Sequence, residues 1–435
     1  MISTIKSSLA AAAICCTLVV PAAMVAATTP VSIVPVTTLE QQAQRRVNAK
    51  ARVALVDSSS RSFAGIDSLE PAGSGLVPNY VRAIATLPKM SGPMAHLFKT
   101  FVSDGALPSE TKLAMALRIA QVNNSPYTAA HVERLLRATE RGKAVLAAMK
   151  ANQTANLTPG EQRALAWAEE SSKHVDGLND ADFQNARGLF NDSQIVEMAF
   201  TSCFFNYFTR FSEALNLPVE SWALETSPAP MKTVSPDPAR VSLVSDEEMR
   251  ATEAAIAASK DANSTAASWN IGIANSQRAM LHAPAMYAAW RQFGAAAQEY
   301  TSVSREIKLQ VSFAVSTANG CRYCTLHQVL GLRRLGVSPS KLMAMQKDDS
   351  ALTPEELAAV VFARKLTAEP GNTSDETYQR LRTTFKEQGA LEVLMQTCNF
   401  AFMNRFTDGL RLPSEDEAVK VYRETYGSDW QRKKK

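Results

Sequence analysis

The sequence predicts an all-α protein built as two helical bundles in tandem, and three observations carry that expectation. Glycine is scarce, 18 of 435 residues, while alanine recurs in nearly every segment, a balance that favours helix over a turn-rich β fold. Apolar residues repeat at helical spacing: Tyr378, Leu381 and Phe385 fall at i, i+3 and i+7, and Phe183, Ala186 and Phe190 repeat that stripe. Helix starts stand at Thr158-Pro159-Gly160-Glu161 and Thr353-Pro354-Glu355-Glu356. Each has a cap residue, a proline at the first helical position and a glutamate placed to close a capping box. Strand-like alternation is confined to brief pieces of the connecting segments.

Taken in order, residues 1–27 read as a secretory signal. A short basic start containing Lys6 leads into the apolar run Leu9 to Val20, then Pro21 and a small-residue stretch ending at Ala26 and Ala27. The protein is therefore expected to be exported, periplasmic or secreted, and off the membrane once cleaved. Residues 28–75, rich in Thr, Val, Ser and Ala, are expected to be a linker or loosely packed lead-in. Residues 225–271 read as a second linker, from Pro228, Pro230, Pro236 and Pro238 and an Ala/Ser-rich tract, and residues 422–435 as a basic, solvated tail.

Between these segments the chain repeats itself. Cys203, Arg210-Phe211 and Leu217-Pro218 match Cys398, Arg405-Phe406 and Leu412-Pro413, all 195 residues apart. Leu157-Thr158-Pro159 matches Leu352-Thr353-Pro354 at the same offset. Glu110, Lys112, Leu113, Asn123, Tyr127 and His131 match Glu306, Lys308, Leu309, Asn319, Tyr323 and His327 at 196, and the change of one is an ordinary loop insertion. The repeats span roughly 76–224 and 272–421, and two copies make a two-domain chain rather than a solenoid. At about three times the length of a typical domain, a single compact core is not expected.

Composition narrows the function classes. A net charge of +4 is too small a surplus for a nucleic-acid-binding face, and five histidines leave little room for a multi-histidine metal centre. The residues that carry chemistry are in the second repeat, where Asn319-Gly320 leads into Cys321-Arg322-Tyr323-Cys324-Thr325-Leu326-His327. Two thiols three apart close a small disulfide with little rearrangement, and a helix N-terminus favours the thiolate. His327, one turn on, is placed to accept or return a proton. With an export signal this pattern points to thiol–disulfide or peroxide chemistry. A structural zinc site, short of a fourth ligand, and an inert disulfide in an oxidising compartment stay open as alternatives. Cys203 and Cys398, each in an apolar helix, read as buried free cysteines. The first repeat has Ser125 and Thr128 where the second has Cys321 and Cys324, while Tyr127 and His131 are kept. It has no redox pair and reads as a degenerate structural partner.

The run Ala318-Asn319-Gly320-Cys321-Arg322-Tyr323-Cys324, the Leu-Thr-Pro-Glu-Glu helix start and the closing Asn404-Arg405-Phe406 to Leu412-Pro413 segment resemble the carboxymuconolactone decarboxylase family, which includes the AhpD-like alkylhydroperoxidases. The resemblance covers 272–421 and, more weakly, 76–224. It implies an all-helical fold, assembly into homo-oligomers, and a CxxC pair that reduces peroxides with a histidine and a glutamate as proton relay. Carried over, Cys324 is the attacking thiolate and Cys321 its resolving partner, with a peroxide and an external thiol or dithiol reductant as partners and no cofactor. The relay transfers less well. Gln328 stands where the redox branch usually has its histidine, and Leu309 where it has its glutamate, so His327 and Glu306 are the nearest proton handlers. The lactone decarboxylase branch typically lacks the cysteine pair. A scaffold with a fixed disulfide and a decarboxylase- or isomerase-type enzyme of this family are the alternatives.

Overall fold

A computed structural model of the chain describes residues 33–55, 77–175, 178–224, 274–428 and 430. The expected signal segment, most of the first linker, the second linker and the last residues of the basic tail lie outside them. Among the described residues there are seventeen α-helices and no strand, as the composition predicts. A lead helix, α1 (Val36–Arg46), precedes the first repeat, which holds α2 (Asn79–Ile84), α3 (Ser91–Val102), α4 (Ser109–Asn123), α5 (Pro126–Leu136), α6 (Glu140–Lys150), α7 (Pro159–Lys173), α8 (Asp180–Arg187) and α9 (Asp192–Ala214). The second repeat holds α10 (Asn275–Met280), α11 (Pro284–Gln298), α12 (Arg305–Asn319), α13 (Arg322–Arg334), α14 (Pro339–Lys347), α15 (Pro354–Ala368) and α16 (Asp375–Gly409), and α17 (Asp416–Tyr426) follows it. α16 is broken at Lys386, whose φ is 59°, so its two parts match α8 and α9.

Local chemistry sets the element starts. Thr158 and Thr353 cap α7 and α15 with complete capping boxes to Glu161 and Glu356. Two of the expected loose segments are helical instead. In the lead-in, Val36, Leu39 and Ala43 bury one stripe of α1 against α5, because i, i+3, i+7 spacing puts them on one face. At the far end, α17 continues through residues 422–426, burying Ala418 and Tyr422.

The described residues from Ile33 onward form one unit, and its main apolar core draws on both repeats, from Val36 to Phe406, while α13, α14 and α17 pack in a second core with parts of α12 and α15. That differs from the separate cores expected from length. The reason is that α9 and α16 lie along each other, and α3 packs on α11, so each repeat covers the other with two of its helices. Phe200 of α9 sits 4.8 Å from Phe406 and 6.0 Å from Phe402, measured between ring centroids. Phe402 stacks in turn on Trp290 of α11 at 3.9 Å.

Each repeat also buries a matching ion pair. Lys112 of α4 meets Glu197 of α9 at 3.4 Å, and Lys308 of α12 meets Glu392 of α16 at 2.8 Å. The carboxylates hold the turn before each helix as well: Glu197 accepts from the Ala106 and Leu107 amides, Glu392 from those of Ser302 and Val303.

Candidate functional site

α12 ends at Gly320, whose φ of 71° is the left-handed turn that glycine adopts without strain. The chain then re-enters a helix at once, with Cys321 as the N-cap of α13. Its sulfur accepts from the Cys324 amide at 3.4 Å. Both sulfurs also lie 3.4 Å from one oxygen, Thr407 Oγ1 on α16. That hydroxyl is itself 3.0 Å from the Met403 carbonyl. A hydroxyl has one proton, so it serves either the carbonyl or one sulfur at a time. The thiols are free and buried, Cys321 0% and Cys324 3% exposed. Their other neighbours are apolar: Val175, Tyr323, Phe400, Met403 and Leu412. Burial pushes the Cys321 thiol well above its ordinary value, and Cys324 and Asp408 add to that.

Behind the thiols stands a cluster present in both repeats. Tyr323 donates to Glu415 at 3.0 Å and stacks on His327 with ring centroids 4.2 Å apart. His327 places one ring nitrogen 2.6 Å from the Tyr323 carbonyl and the other 2.6 Å from the second oxygen of Glu415. Glu415 also accepts from the Asn275 amide at 2.7 Å, tying the start of α10 to α13. In the first repeat Tyr127 and His131 meet Glu220 at 3.0 and 2.9 Å, and Glu220 takes the Asn79 amide.

This cluster has a pH signature. Burial alone would raise the Glu415 carboxyl, but the His327 contact and the Asn275 amide outweigh it and hold the group below its ordinary 4.5. A carboxyl depressed in the folded state contributes stability that is present above its unfolded value and lost as pH falls through the folded one. Stability is therefore expected to decline on acidification below about 4.5. Thermal melts of Glu415→Gln across that range should show a shallower decline than the parent chain; equal slopes would remove Glu415 from the acid response.

In the first repeat the position of the thiols is closed differently. Ser125 Oγ lies 2.9 Å from Thr128 Oγ1 and donates to Glu213 at 2.7 Å, and Arg46 of α1 pairs with Glu213. A cleft of about 360 Å³ opens there, lined by Gln42, Arg45, Arg46, Asn124, Pro126, Glu213 and Gly371. Hydroxyls tied to a carboxylate cannot form a disulfide or a sulfenic acid.

The structure brings Cys321 and Cys324 together at one hydroxyl, as their spacing implies. It places His327 one turn along α13 but turns both ring nitrogens toward Tyr323 and Glu415. It does not bring Glu306 to the thiols. Glu306 lies in the first turn of α12, paired with Lys341 at 2.9 Å, and Cys321 follows the opposite end of that helix. At 1.5 Å per residue the separation is about 20 Å, so Glu306 cannot pass a proton there directly. Cys203 and Cys398 are free and fully buried. Among the described residues no group of three or more His, Cys, Asp or Glu side chains is arranged to hold a metal ion. Thr407, Glu415 and Val175 were not found by sequence reasoning. Glu220 and Glu415 had a signal, since each follows its Leu-Pro pair by two residues at the shared offset of 195.

The carboxymuconolactone decarboxylase family model matches residues 90–170 and again 284–365. No curated protein matches the chain. Among solved structures, the debrominase Bmp8 in complex with 2,3,4-tribromopyrrole is 19% identical, covering 43% of this chain and 100% of that one at a TM-score of 0.37. The apo form of Bmp8 is 19% identical, covering 42% and 95% at a TM-score of 0.36. Likenesses of that size carry no argument about this chain. The two family matches fall one within each of the repeats read from the 195-residue offset, so the sequence is similar to the carboxymuconolactone decarboxylase family twice, in a tandem arrangement.

Proposed function

We propose that Cys321 and Cys324 are the working pair of an exported thiol peroxidase that reduces alkyl hydroperoxides, with the first repeat as a partner free of redox chemistry. The observation that carries this reading is the pair of free thiols at the N-terminus of α13, both within 3.4 Å of Thr407 Oγ1. Cys324, in the first helical turn, is the nucleophile. Its thiolate attacks one peroxide oxygen, the O–O bond breaks, and the alkoxide leaves and takes a proton to become the alcohol. Cys324 is then a sulfenic acid. Cys321, kept as a thiol by burial, condenses with it, forming the disulfide and releasing water. An external dithiol reduces the disulfide by exchange and closes the cycle.

Thr407 stands at the thiols where Glu306 was expected as a proton handler, and it offers them a hydrogen bond. Its proton can leave the Met403 carbonyl for the charged sulfur, where a hydrogen bond is worth more. Tyr323, His327 and Glu415 act on the thiols by fixing the first two turns of α13.

One observation favours a second reading, a scaffold with a fixed Cys321–Cys324 disulfide: both thiols are almost wholly buried. Thiol titration of the protein before and after one equivalent of an organic hydroperoxide separates the two. The peroxidase loses two thiols quickly, Cys324→Ser loses none, and Cys321→Ser stops at the sulfenic acid. A pair isolated as a disulfide that resists dithiol, and that ignores peroxide once opened, would instead be a staple.

A further inference from the structure

The two thiols belong to the second repeat, yet one wall around them belongs to the first. Val175 follows α7 and is 3% exposed, packed into the apolar group that contains Cys321, Tyr323 and Cys324. It stands beyond the helix C-cap, His174, on a segment that the second repeat grips on both sides. Before it, Arg405 donates to the Ser171 carbonyl at 3.0 Å and the Ser172 carbonyl at 3.4 Å. After it, Arg411 reaches the Leu178 carbonyl at 3.5 Å and pairs with Asp180. The place of Val175 in the apolar group that holds the thiols is thus set by contacts made across the two repeats.

The reciprocal arrangement supports this. The segment that follows α15 in the second repeat, Pro370–Asn372, lies against the first repeat just before Ser125. Gly371 approaches so closely that an added Cβ would stand 2.7 Å from the Asn123 carbonyl oxygen. Each repeat lends the stretch after its sixth helix to the other: that after α7 to the N-terminus of α13, that after α15 to the N-terminus of α5. Only one of these two exchanges ends on thiols.

We infer that Val175 of the first repeat is the residue that limits the size of the electrophile admitted to Cys324, so that the repeat without thiols sets the specificity of the repeat that has them. The other walls are less able to yield. Tyr323 is held by Glu415 and by stacking on His327, and Phe400 and Met403 lie within α16. Val175 and Leu412 are the walls outside any helix, and Leu412 is tied back to α16 through its amide on the Thr407 carbonyl at 2.9 Å, which leaves Val175 as the wall whose side chain sets the room beside a sulfur that is itself only 3% exposed.

The inference rests on Cys321 and Cys324 being reactive thiols, and its test does not require them to reduce peroxide. The reduced full-length chain is alkylated with iodoacetamide and, separately, with a bulky N-aryl maleimide, and the rates at Cys321 and Cys324 are read by peptide mass mapping. Val175→Ala should raise the rate with the bulky reagent relative to the small one by about tenfold, the scale of removing methyl groups from a packed pocket wall. Val175→Phe should lower that ratio, and Val175→Thr, which keeps the shape, should leave it near the parent value. The mapped rates at Cys203 and Cys398 report whether a variant has merely loosened the fold, since both are fully buried in the same core. An unchanged ratio in Val175→Ala and Val175→Phe overturns the inference, as does a rise in Val175→Ala matched at Cys203 and Cys398. If alkylation follows Val175 but no variant loses thiols to hydroperoxide, the peroxidase reading fails while the wall stands.

Discussion

Glu197→Ala is expected to destabilise the protein by about 3–5 kcal/mol, the loss typical when one partner of a buried pair is removed. Lys112 is 1% exposed and would be left with its ammonium buried and unpaired. Burial already pushes Lys112 below its ordinary pKa, with the Glu197 carboxylate working against that. The same substitution strips the acceptor from the Ala106 and Leu107 amides, so two backbone donors lose their partner. Glu392→Ala should cost less, because Lys308 keeps 20% of its side chain in solvent and can rehydrate. Urea unfolding of the full chain measures both. The double variant Lys112→Met/Glu197→Ala separates charge from backbone: it should recover part of the loss, because the buried ammonium is gone, but not the two amides. A double variant no better than Glu197→Ala would assign the whole effect to the turn before α4.

What was legible in the sequence, and what was not, follows the reach of each interaction. The helices and their starts are local: the Thr-Pro-x-Glu boxes at 158 and 353 declare themselves within four residues, and both form. The duplication was legible because the same local signals recur at a constant offset. The CxxC pair is local too, three residues apart on one helix start. Glu415 was missed because its partner His327 is 88 residues away, although its match to Glu220 lay two residues beyond a pair already aligned. Thr407 gave no signal at all, since a threonine in an apolar helix looks the same whether it faces a carbonyl or a sulfur. Glu306 misled for the opposite reason. It sits close to the cysteines in sequence, but a straight helix turns that short interval into a long distance. α1 was hidden because its apolar stripe, Val36, Leu39 and Ala43, is embedded in Thr, Gln and Arg. The contact between repeats is the least legible feature, because the apolar surplus on α9 and α16 says that each must be covered and not by what.

That contact yields the second large effect. Phe402→Ala should cost about 3–5 kcal/mol, as for other fully buried aromatic side chains cut back to alanine. Phe402 is 0% exposed and is held between Trp290, stacked at 3.9 Å, and Phe200 of the other repeat. The neighbouring rings are carried on three different helices, α9, α11 and α16, so collapse around the void is resisted from several directions. The shape of the transition carries more than its midpoint. One core running from Val36 to Phe406 implies that the repeats unfold together, so the parent and Phe402→Ala should each give a single transition, displaced but not split. Separate folding of the repeats would instead give two transitions, with Phe402→Ala moving the second repeat's and sparing the other. Cooperative unfolding has a consequence at the thiols. A first repeat that unfolded alone would carry Val175 away and expose Cys324 while the second repeat stayed folded. With a core shared by both repeats that state is suppressed, and Val175 stays beside the thiols for as long as the two repeats unfold together.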